Sequence, residues 1–438
     1  MKNLLLFLLF SLLMASAQAT QPSANDRLLV KLHEGASIPK MDSVKSWKHL
    51  FGQVYMVFTT NLESALQELK VDGNVVYVER DYYGRRDKMD MKLSDIHGPG
   101  VVTAKSGQPF NDPYLSRQWA LTNSETNGMS VIRAYQNRQS APKEEIIVAV
   151  VDTGVDISHQ DLPIWKNLDE IPANGIDDDQ NGYIDDVYGI NTLVRDSQGR
   201  ATMDNRDGHS HGTHVSGSIG ALQNNAICVV GVASKVKIMG VRTVPNNGDE
   251  LDTDVVEAFI YAAQNGARVI NCSFGKAHNE GGMAVSEAIA YIGKAFGTLV
   301  VAAAGNDSSD IDGTPTYPAS YTNDTLLVVA ATSSSGGLAY FSNYGAVGVD
   351  VAAPGNNIYS SLPGNRYGNM SGTSMASPNT AGVAAEVLSY FPELSANELR
   401  EVLIRSVAKV GSFSGRMVSG GRVDLQRALE EAGRALGQ

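Results

Sequence analysis

Three of the chain's eight histidines fall within six positions, in GHSHGTHVSG at residues 208–217. His211 and His214 are three apart and share a face of the helix that the following residues predict. A metal site would need a third ligand, and the H-E-x-x-H pattern is missing. A general base and a buried structural histidine both fit the spacing. Gly212, Gly217, Ser216 and Ser218 imply close backbone packing, which favours a site. Asp152, in VVDTGVD, follows an apolar run and precedes a glycine turn. It reads as a turn residue, or as one half of an acid pair of the D-T-G aspartic-peptidase kind. That chemistry needs two carboxylates sharing a proton, and only one D-T-G is present. Ser374, in GTSMASP, opens a long run of small and apolar residues. A serine there reads as a helix cap, but a hydroxyl at that end also lies where the helix dipole stabilises developing negative charge. Pro378 is predicted in the first turn, where its missing N–H costs little. Ala376 rules out the G-x-S-x-G elbow of esterases and lipases.

These residues need a frame to bring them together. Apolar runs EIIVAVVDTG, VKIMGVRTV, ARVINCSFG, GTLVVAAAGN, TLLVVAAT and VDVAAPG recur from residue 145. Helical patterns at 211–222, 251–265 and 283–296 alternate with several of them; others follow at 373–390, 395–407 and 422–435. Continuous Val/Ile/Leu strands between helices predict an α/β fold, a mostly parallel sheet covered on both faces. Sites in such sheets form at the carboxyl ends of strands. Asp152 and Asn306 end two of these runs, so they should share one rim.

Residues 26–83 read as a small α+β unit. Strand patterns DRLLVKLHEG, GQVYMVFTT and NVVYVERDYY flank a helix that starts at an Asn61 cap and stops near Gly73. Residues 84–110 lack periodicity and read as an exposed, easily cut linker. Residues 1–19 hold Lys2, an apolar run from Leu4 to Met14, and Ala15, Ala17 and Ala19, the pattern of a secretory signal with an A-x-A cleavage site. No later apolar stretch is long enough to span a bilayer. The net charge is −12, with +1 over residues 20–110 and −14 over 111–438. An acidic body argues against nucleic acid and anionic membrane as partners. Two cysteines, Cys228 and Cys272, indicate no disulfide framework; they read as one bridge or as two buried thiols.

D-T-G at 152–154, H-G-T-H at 211–214 and G-T-S-M-A-S-P at 372–378, in that order, resemble the subtilisin-like serine peptidases over roughly residues 110–435. The resemblance implies Ser374 as nucleophile, His211 as general base and then acid, and Asp152 as the group that orients the imidazole. It implies a structural role for His214 and none for His209. Asn306, in AAAGN, matches the oxyanion-hole asparagine. The segment Cys272, Ser273, Phe274 and Gly275 resembles the strand that pairs with substrate backbone and lines the specificity pocket. Ala304 and Gly305 are implied as further substrate-binding residues, and Thr316 in TYPAS stands on the pocket floor where many relatives have glycine. The implied pocket is shallow and disfavours large aromatic side chains. Residues 20–83 resemble a prodomain that inhibits its own enzyme intramolecularly, with NDPYLSRQW at 111–119 like a mature start and self-cleavage between 83 and 111.

The most acidic stretch, NGIDDDQNGYIDDVYG at 174–189, places Asp177, Asp179 and Asn181 at alternate positions before Gly182, like the front of an EF-hand loop. Tyr188 stands where that loop needs a glutamate. The predicted shell is Asp177, Asp179, Asn181, the Tyr183 carbonyl, and Asp185 or Asp186, around structural Ca2+. The resemblance implies a second calcium site from Asp112, Asp161 and Asn225 with backbone oxygens of Ile227 and Val229, in a loop where Cys228 replaces a usual glycine. The combined expectation is a secreted, monomeric, calcium-stabilised serine endopeptidase acting on polypeptides, with 111–438 as the peptidase domain. The rivals are a catalytically silent binding protein on the same fold and the D-T-G aspartic peptidase.

Overall fold

The computed structural model describes residues 23–83, 93–98, 109–276 and 282–437. The signal-like segment 1–19 lies outside them. The strands are β1 (Ser23–Leu32), β2 (Val44–Phe51), β3 (Val54–Thr59), β4 (Val75–Tyr82), β5 (Ser94–His97), β6 (Ile146–Asp152), β7 (Asn191–Arg195), β8 (Ala201–Thr202), β9 (Val236–Arg242), β10 (Ala267–Cys272), β11 (Leu299–Ala303), β12 (Leu326–Thr332), β13 (Val351–Pro354), β14 (Ile358–Leu362), β15 (Arg366–Met370), β16 (Ala408–Lys409) and β17 (Gly421–Arg422). The helices are α1 (Leu62–Val71), α2 (Val131–Gln136), α3 (His211–Gly220), α4 (Asp252–Gln264), α5 (Met283–Phe296), α6 (Thr373–Tyr390), α7 (Ala396–Arg405) and α8 (Leu425–Ala435).

Ten strands form the main sheet in the order β16-β17-β13-β12-β11-β10-β6-β9-β7-β8. The run from β13 to β7 is parallel, and the short edge strands β8 and β16 pair antiparallel. Side chains alternate across the pleat. Val148 and Val150 of β6 face α3 and α6, whereas Ala149 and Val151 face α4 and α5. Both faces are therefore buried, which is why these strands read as unbroken apolar runs.

The N-terminal unit is a four-stranded antiparallel sheet, β2-β3-β1-β4. Asn61 caps α1, accepting from Ser64 N at 3.1 Å. One face of this sheet holds Leu28, Val30 and Val57 against Ala65, Leu66 and Leu69 of α1. The other carries Leu29, Leu50, Phe51, Val54 and Met56 into the core of α4 and α5. Strand β2 escapes sequence reading because it is an edge strand, exposed over much of its length apart from Leu50 and Phe51 at its end. Lys48 pairs with Glu257 (2.5 Å) and Lys31 with Glu287 (2.7 Å). Asp81 accepts from Thr253 N (3.0 Å) and Oγ1 (2.6 Å) at the start of α4, and Glu79 accepts from Met283 N (3.1 Å) at the start of α5. Two carboxylates thus cover the positive ends of two helices.

Two local expectations are corrected. The stretch 84–110 contains a strand, β5, and not only connector. Pro378 lies in the second turn of α6 and not the first, since the helix begins at Thr373. Both cysteines are buried thiols, with no disulfide between them.

Candidate active site

Strands β6, β10 and β11 are neighbours, with Val151 beside Cys272 and Cys272 beside Ala302. Their carboxyl ends therefore form one rim, from which Asp152, Ser273 and Asn306 project within a few residues of the strand ends. Helices α3 and α6 reach the same rim from one face of the sheet.

Asp152 Oδ1 lies 2.7 Å from His211 Nδ1 and accepts from Thr153 N at 2.7 Å. A carboxylate only accepts, so the imidazole proton is on Nδ1 and Nε2 presents a lone pair. Both side chains are buried. The close approach needs Gly212: a Cβ there would stand 2.0 Å from Gly154 O and 3.2 Å from Asp152 Cβ. Helix α3 is anchored by Asp207, whose carboxylate accepts from Thr213 N (3.0 Å), Thr213 Oγ1 (2.7 Å), Ser210 N (2.8 Å) and Thr153 Oγ1 (2.9 Å). Sequence reading passed over Asp207, although an acid just before a predicted helix is a recognisable cap signal.

The three histidines separate by role. His214 is buried and its Nε2 donates to the carbonyls of Ile358 (2.9 Å) and Gly368 (3.2 Å). Burial, with the His211 imidazole nearby, pushes it down to about 3, so it stays neutral and clamps β14 to β15. His209 uses its backbone N–H on Asp207 at 2.8 Å.

Ser374 is the second residue of α6. Pro378 has no N–H to give the Ser374 carbonyl four residues back. That carbonyl instead accepts from Ser273 Oγ at 3.0 Å, while Ser374 Oγ donates to Ser273 O at 3.2 Å. The proline thus frees a backbone acceptor that ties the serine to Ser273, at the end of β10. Ser273 Oγ is set by Asn271 Nδ2 (2.8 Å), and Asn271 Oδ1 accepts from Ser377 Oγ (2.8 Å). Asn271 lies in the quoted NCSFG stretch but was not singled out; a polar residue ending an apolar strand was the available signal. In this state His211 Nε2 has no hydrogen-bond partner among the described residues.

Asn306 Oδ1 accepts from Thr373 N (2.8 Å) and Thr373 Oγ1 (3.0 Å). A backbone N–H cannot bond an amide nitrogen, so the Asn306 amide is oriented without ambiguity, its NH2 turned away from Thr373. Gly305 N donates to Thr373 Oγ1 at 3.1 Å, and Asn343 Nδ2 donates to Ala304 O at 3.0 Å. The loop carrying Asn306 is thereby fixed to the residue before Ser374. Cys272 is fully buried, its thiol pushed up by burial and by the charges of Glu250 and Asp152. Phe274 packs against the α4–α5 core. Beyond it, Lys276 and Tyr317 exchange backbone hydrogen bonds at 2.8 and 2.7 Å. Gly275 sits close to Tyr317 O, and a Cβ on it would lie 3.4 Å from Thr316 Cγ2. The buried Thr316 methyl thus abuts the segment at Gly275.

In the acidic loop, oxygens of Glu170, Asp177 and Asp179 converge within 4.8 Å of one another. Glu170 was missed because it precedes the acidic run. Its Oε1 accepts from Asp178 N (2.8 Å), and its buried Oε2 has no partner among the described residues. Asn181 Nδ2 donates to Asp179 (3.0 Å) and Asp186 (3.1 Å). Asp185 turns aside to the backbone of Asn174 and Gly175, both at 3.0 Å, and Asp186 to Tyr261 Oη at 2.5 Å. The Tyr183 side chain points inward to Glu257 at 3.1 Å. Asp185 and Asp186 thus each spend both oxygens on donors within the protein.

Asp112, Asp161 and Asn225 gather around the 224–229 loop. Asn225 Nδ2 donates to Asp161 Oδ1 at 2.7 Å, Tyr367 Oη to Asp161 Oδ2 at 3.2 Å, and Asn224 N to Asp112 Oδ2 at 2.9 Å. Ile227 N donates to Asn225 Oδ1 at 2.8 Å. Cys228 adopts φ +43°, the left-handed region that glycine would enter at less cost. Burial raises Asp161 to about 7, with Asp112 adding to the rise, and Asp112 Oδ1 is buried with no partner among the described residues. Two buried carboxylates with an unmatched oxygen suit a hard cation.

A mostly parallel α/β sheet presenting an aspartate, a histidine and a serine on β6, α3 and α6 defines the subtilisin-like class of fold. The Subtilase family matches residues 143–425. The chain belongs to that family, and so to the serine endopeptidases. It is 38% identical over 411 residues to the thermophilic serine proteinase of Bacillus sp. (strain AK1), covering 93% of this chain and 85% of that one. It is 35% identical to thermitase of Thermoactinomyces vulgaris over 320 residues, 73% of this chain and 99% of that one. Subtilisin-like protease 1 of Plasmodium berghei is 32% identical over 84% of this chain, which spans only 61% of that longer protein. A protease of Pseudoalteromonas arctica has a similar solved structure, with a TM-score of 0.59, 29% identity and coverage of 74% of this chain and 99% of that one.

Proposed function

We propose that this chain hydrolyses peptide bonds through an acyl-enzyme on Ser374, with His211 as base and then acid, Asp152 as its orienting carboxylate, and Asn306 with the Ser374 backbone N–H as oxyanion donors. The observation that carries the reading is the 2.7 Å Asp152–His211 contact, which leaves the Nε2 lone pair free on the rim where Ser374 sits. Attack requires the Ser374 hydroxyl to leave the Ser273 carbonyl and give its proton to His211 Nε2. The resulting oxyanion forms beside the Asn306 amide, whose orientation Thr373 has already set. Such preorganised donors cost no reorganisation during reaction. A fluorophosphonate probe tests the reading: covalent labelling at Ser374, abolished in Asp152→Ala and His211→Ala, supports it. A folded protein that fails to label excludes it and favours the silent binding protein.

Substrate lies along Ser273–Gly275 as an added strand, with its P1 side chain between that strand and the Ala304–Gly305 segment. The Thr316 methyl makes the pocket shallow. Profiling with a P1 peptide library should give higher kcat/KM for small and medium side chains than for Phe or Tyr. Thr316→Gly should raise use of Phe by about 10-fold or more, the scale of a hydrophobic pocket change. A wild-type preference for Phe or Tyr overturns this.

Calcium serves stability, not the reaction. Glu170, Asp177 and Asp179 with Asn181 hold one ion; Asp112, Asp161 and Asn225, with carbonyls of the 224–229 loop, hold another. Chelation should lower Tm by several degrees, since a ligand of the folded state alone stabilises by about 2.7 kcal/mol at a hundredfold excess over Kd. The sign with pH follows from Asp161. Its pKa is raised on folding, so the cation-free fold binds more protons and loses stability as pH rises from about 4 through about 7. The ion needs the ionised carboxylate, so the Tm difference between calcium and chelator should be larger at pH 8 than at pH 5. An equal or reversed difference contradicts Asp161 as a ligand.

Residues 20–83 act as a removable inhibitory prodomain, cut from the enzyme by the enzyme itself. Supporting this, the described part has its own core, docks by charged contacts, and ends with Tyr83 bridged antiparallel to Leu251, beside the substrate strand. Export of the chain accords with the pattern at 1–19 and with the typical habit of the family. Among the described residues no helix is long and apolar enough to cross a membrane.

A further inference from the structure

Strand β5 lies between the N-terminal unit and the peptidase body in sequence, so it could belong to either. We propose that it is a permanent strand of the body: it stays when the N-terminal unit leaves, and it holds β15, the strand that leads into Ser374, in place.

Every contact of β5 named here is to the body. It pairs antiparallel with β15, His97 opposite Tyr367 and Ser94 opposite Asn369. Asp95 forms an ion pair with Arg117 and takes a left-handed backbone, φ +57°. That conformation is disfavoured for most side chains with a Cβ, though an aspartate whose carboxylate finds a partner enters it more readily. Arg117 is suited to be that partner, because its guanidinium is already stacked on Tyr114 and Tyr359, 5.2 and 5.3 Å from their ring centres. The His97 ring meets the same two tyrosines edge-on at 6.1 and 6.4 Å. Leu93 packs on the core beneath α3 and α6. One receiving surface, Arg117 between two tyrosines, thus reads both Asp95 and His97.

The strand also has a job. Without β5, β14 and β15 form a two-stranded ribbon, marginal alone and with an open edge. Strand β15 ends at Met370, four residues before Ser374. From α3, His214 fixes the ribbon through the carbonyls of Ile358 and Gly368, three residues after the base. The ribbon therefore links the helix of the base to the helix of the nucleophile, with His214 on one side and β5 on the other edge. Misplacement of a reacting group by about 1 Å costs on the order of 100-fold in rate. Arg117 is in this sense a positioning residue that touches no substrate.

The consequence for maturation rests on the self-processing reading. The mature enzyme should begin upstream of Ser94. Intact mass and N-terminal sequencing of the active protein test this; a first residue beyond Gly98 overturns the proposal. The positioning role is tested on the full-length Ser374→Ala chain, with and without Arg117→Ala, by hydrogen exchange. Amides of residues 366–370 should exchange at least about 10-fold faster in the Arg117 variant, with protection in residues 23–83 unchanged. No change at 366–370, or equal loss in both regions, overturns it. In the active enzyme Arg117→Ala should lower kcat with KM retained, and Arg117→Lys should restore part of it. A wild-type chain that never shortens removes the processing reading but leaves the exchange result to decide β5.

Discussion

Ser374→Ala is expected to remove hydrolysis almost entirely and to leave the chain uncut. The loss in kcat should be about 10⁶-fold, the scale found on removing the nucleophile in subtilisin, a member of this family. The substitution deletes only a hydroxyl whose visible contact is the Ser273 carbonyl at 3.2 Å. The Ser374 carbonyl keeps its bond from Ser273 Oγ, so the junction of α6 and the pocket strand survives. Folding should be unaffected, and Tm close to the parent precursor is the control. His211→Ala should cost a similar factor. The double variant should cost little more, because the two act as a unit. Purified from a host without other active proteases, Ser374→Ala should have the mass of the unprocessed chain. Mature-length protein from that variant refutes self-processing. Retained peptidase activity refutes Ser374 as nucleophile.

The second large effect concerns Asn306. Its carbonyl oxygen serves structure, accepting from Thr373 N and Oγ1, while its amide nitrogen is the proposed oxyanion donor. The two halves of one side chain can be tested apart. Asn306→Asp keeps an acceptor for Thr373 and removes the NH2. Asn306→Leu removes both, and leaves the Thr373 N–H without its acceptor, at a cost of about 1–3 kcal/mol. Both should lower kcat by about 10²–10³-fold with little change in KM, a scale also known from subtilisin. Only Asn306→Leu should lower Tm appreciably. If Asn306→Asp retains full turnover in steady-state assays, the oxyanion role fails. If both variants lose KM and kcat together, the residue binds the ground state instead.

Much of the candidate site was legible in the sequence because strand exits are readable. Asp152 and Asn306 end apolar runs, and parallel sheets place such residues on one rim. His211 and Ser374 open the two helices that pack on one face, and small residues around both betray the close packing. The ribbon β14–β15 was not legible. It is rich in Ser, Gly and Asn, and it is buried because Ser360 and Ser361 donate to the carbonyls of His214 (2.7 Å) and Thr213 (2.8 Å). Buried hydroxyls with backbone partners leave no hydrophobic period. Asp207, Asn271, Asn343 and Thr373 escaped for a related reason. Each acts through hydrogen bonds to residues distant in sequence or to backbone, and none forms a motif of its own. Glu170 escaped because the loop folds back to meet it.

The amino-acid order alone determined the central strands of the sheet, most of its helices, and the residue types offered at each strand exit, because those follow from local periodicity and from burial on two faces. Tertiary structure alone decided how the offered groups are used. It set the His211 tautomer through Asp152, turned the Asn306 amide through Thr373, and released the Ser374 carbonyl to Ser273 through Pro378. It paired β5 with β15. Those outcomes depend on angles and distances between segments tens to hundreds of residues apart, and a hydrogen bond between them leaves no periodic trace along the chain.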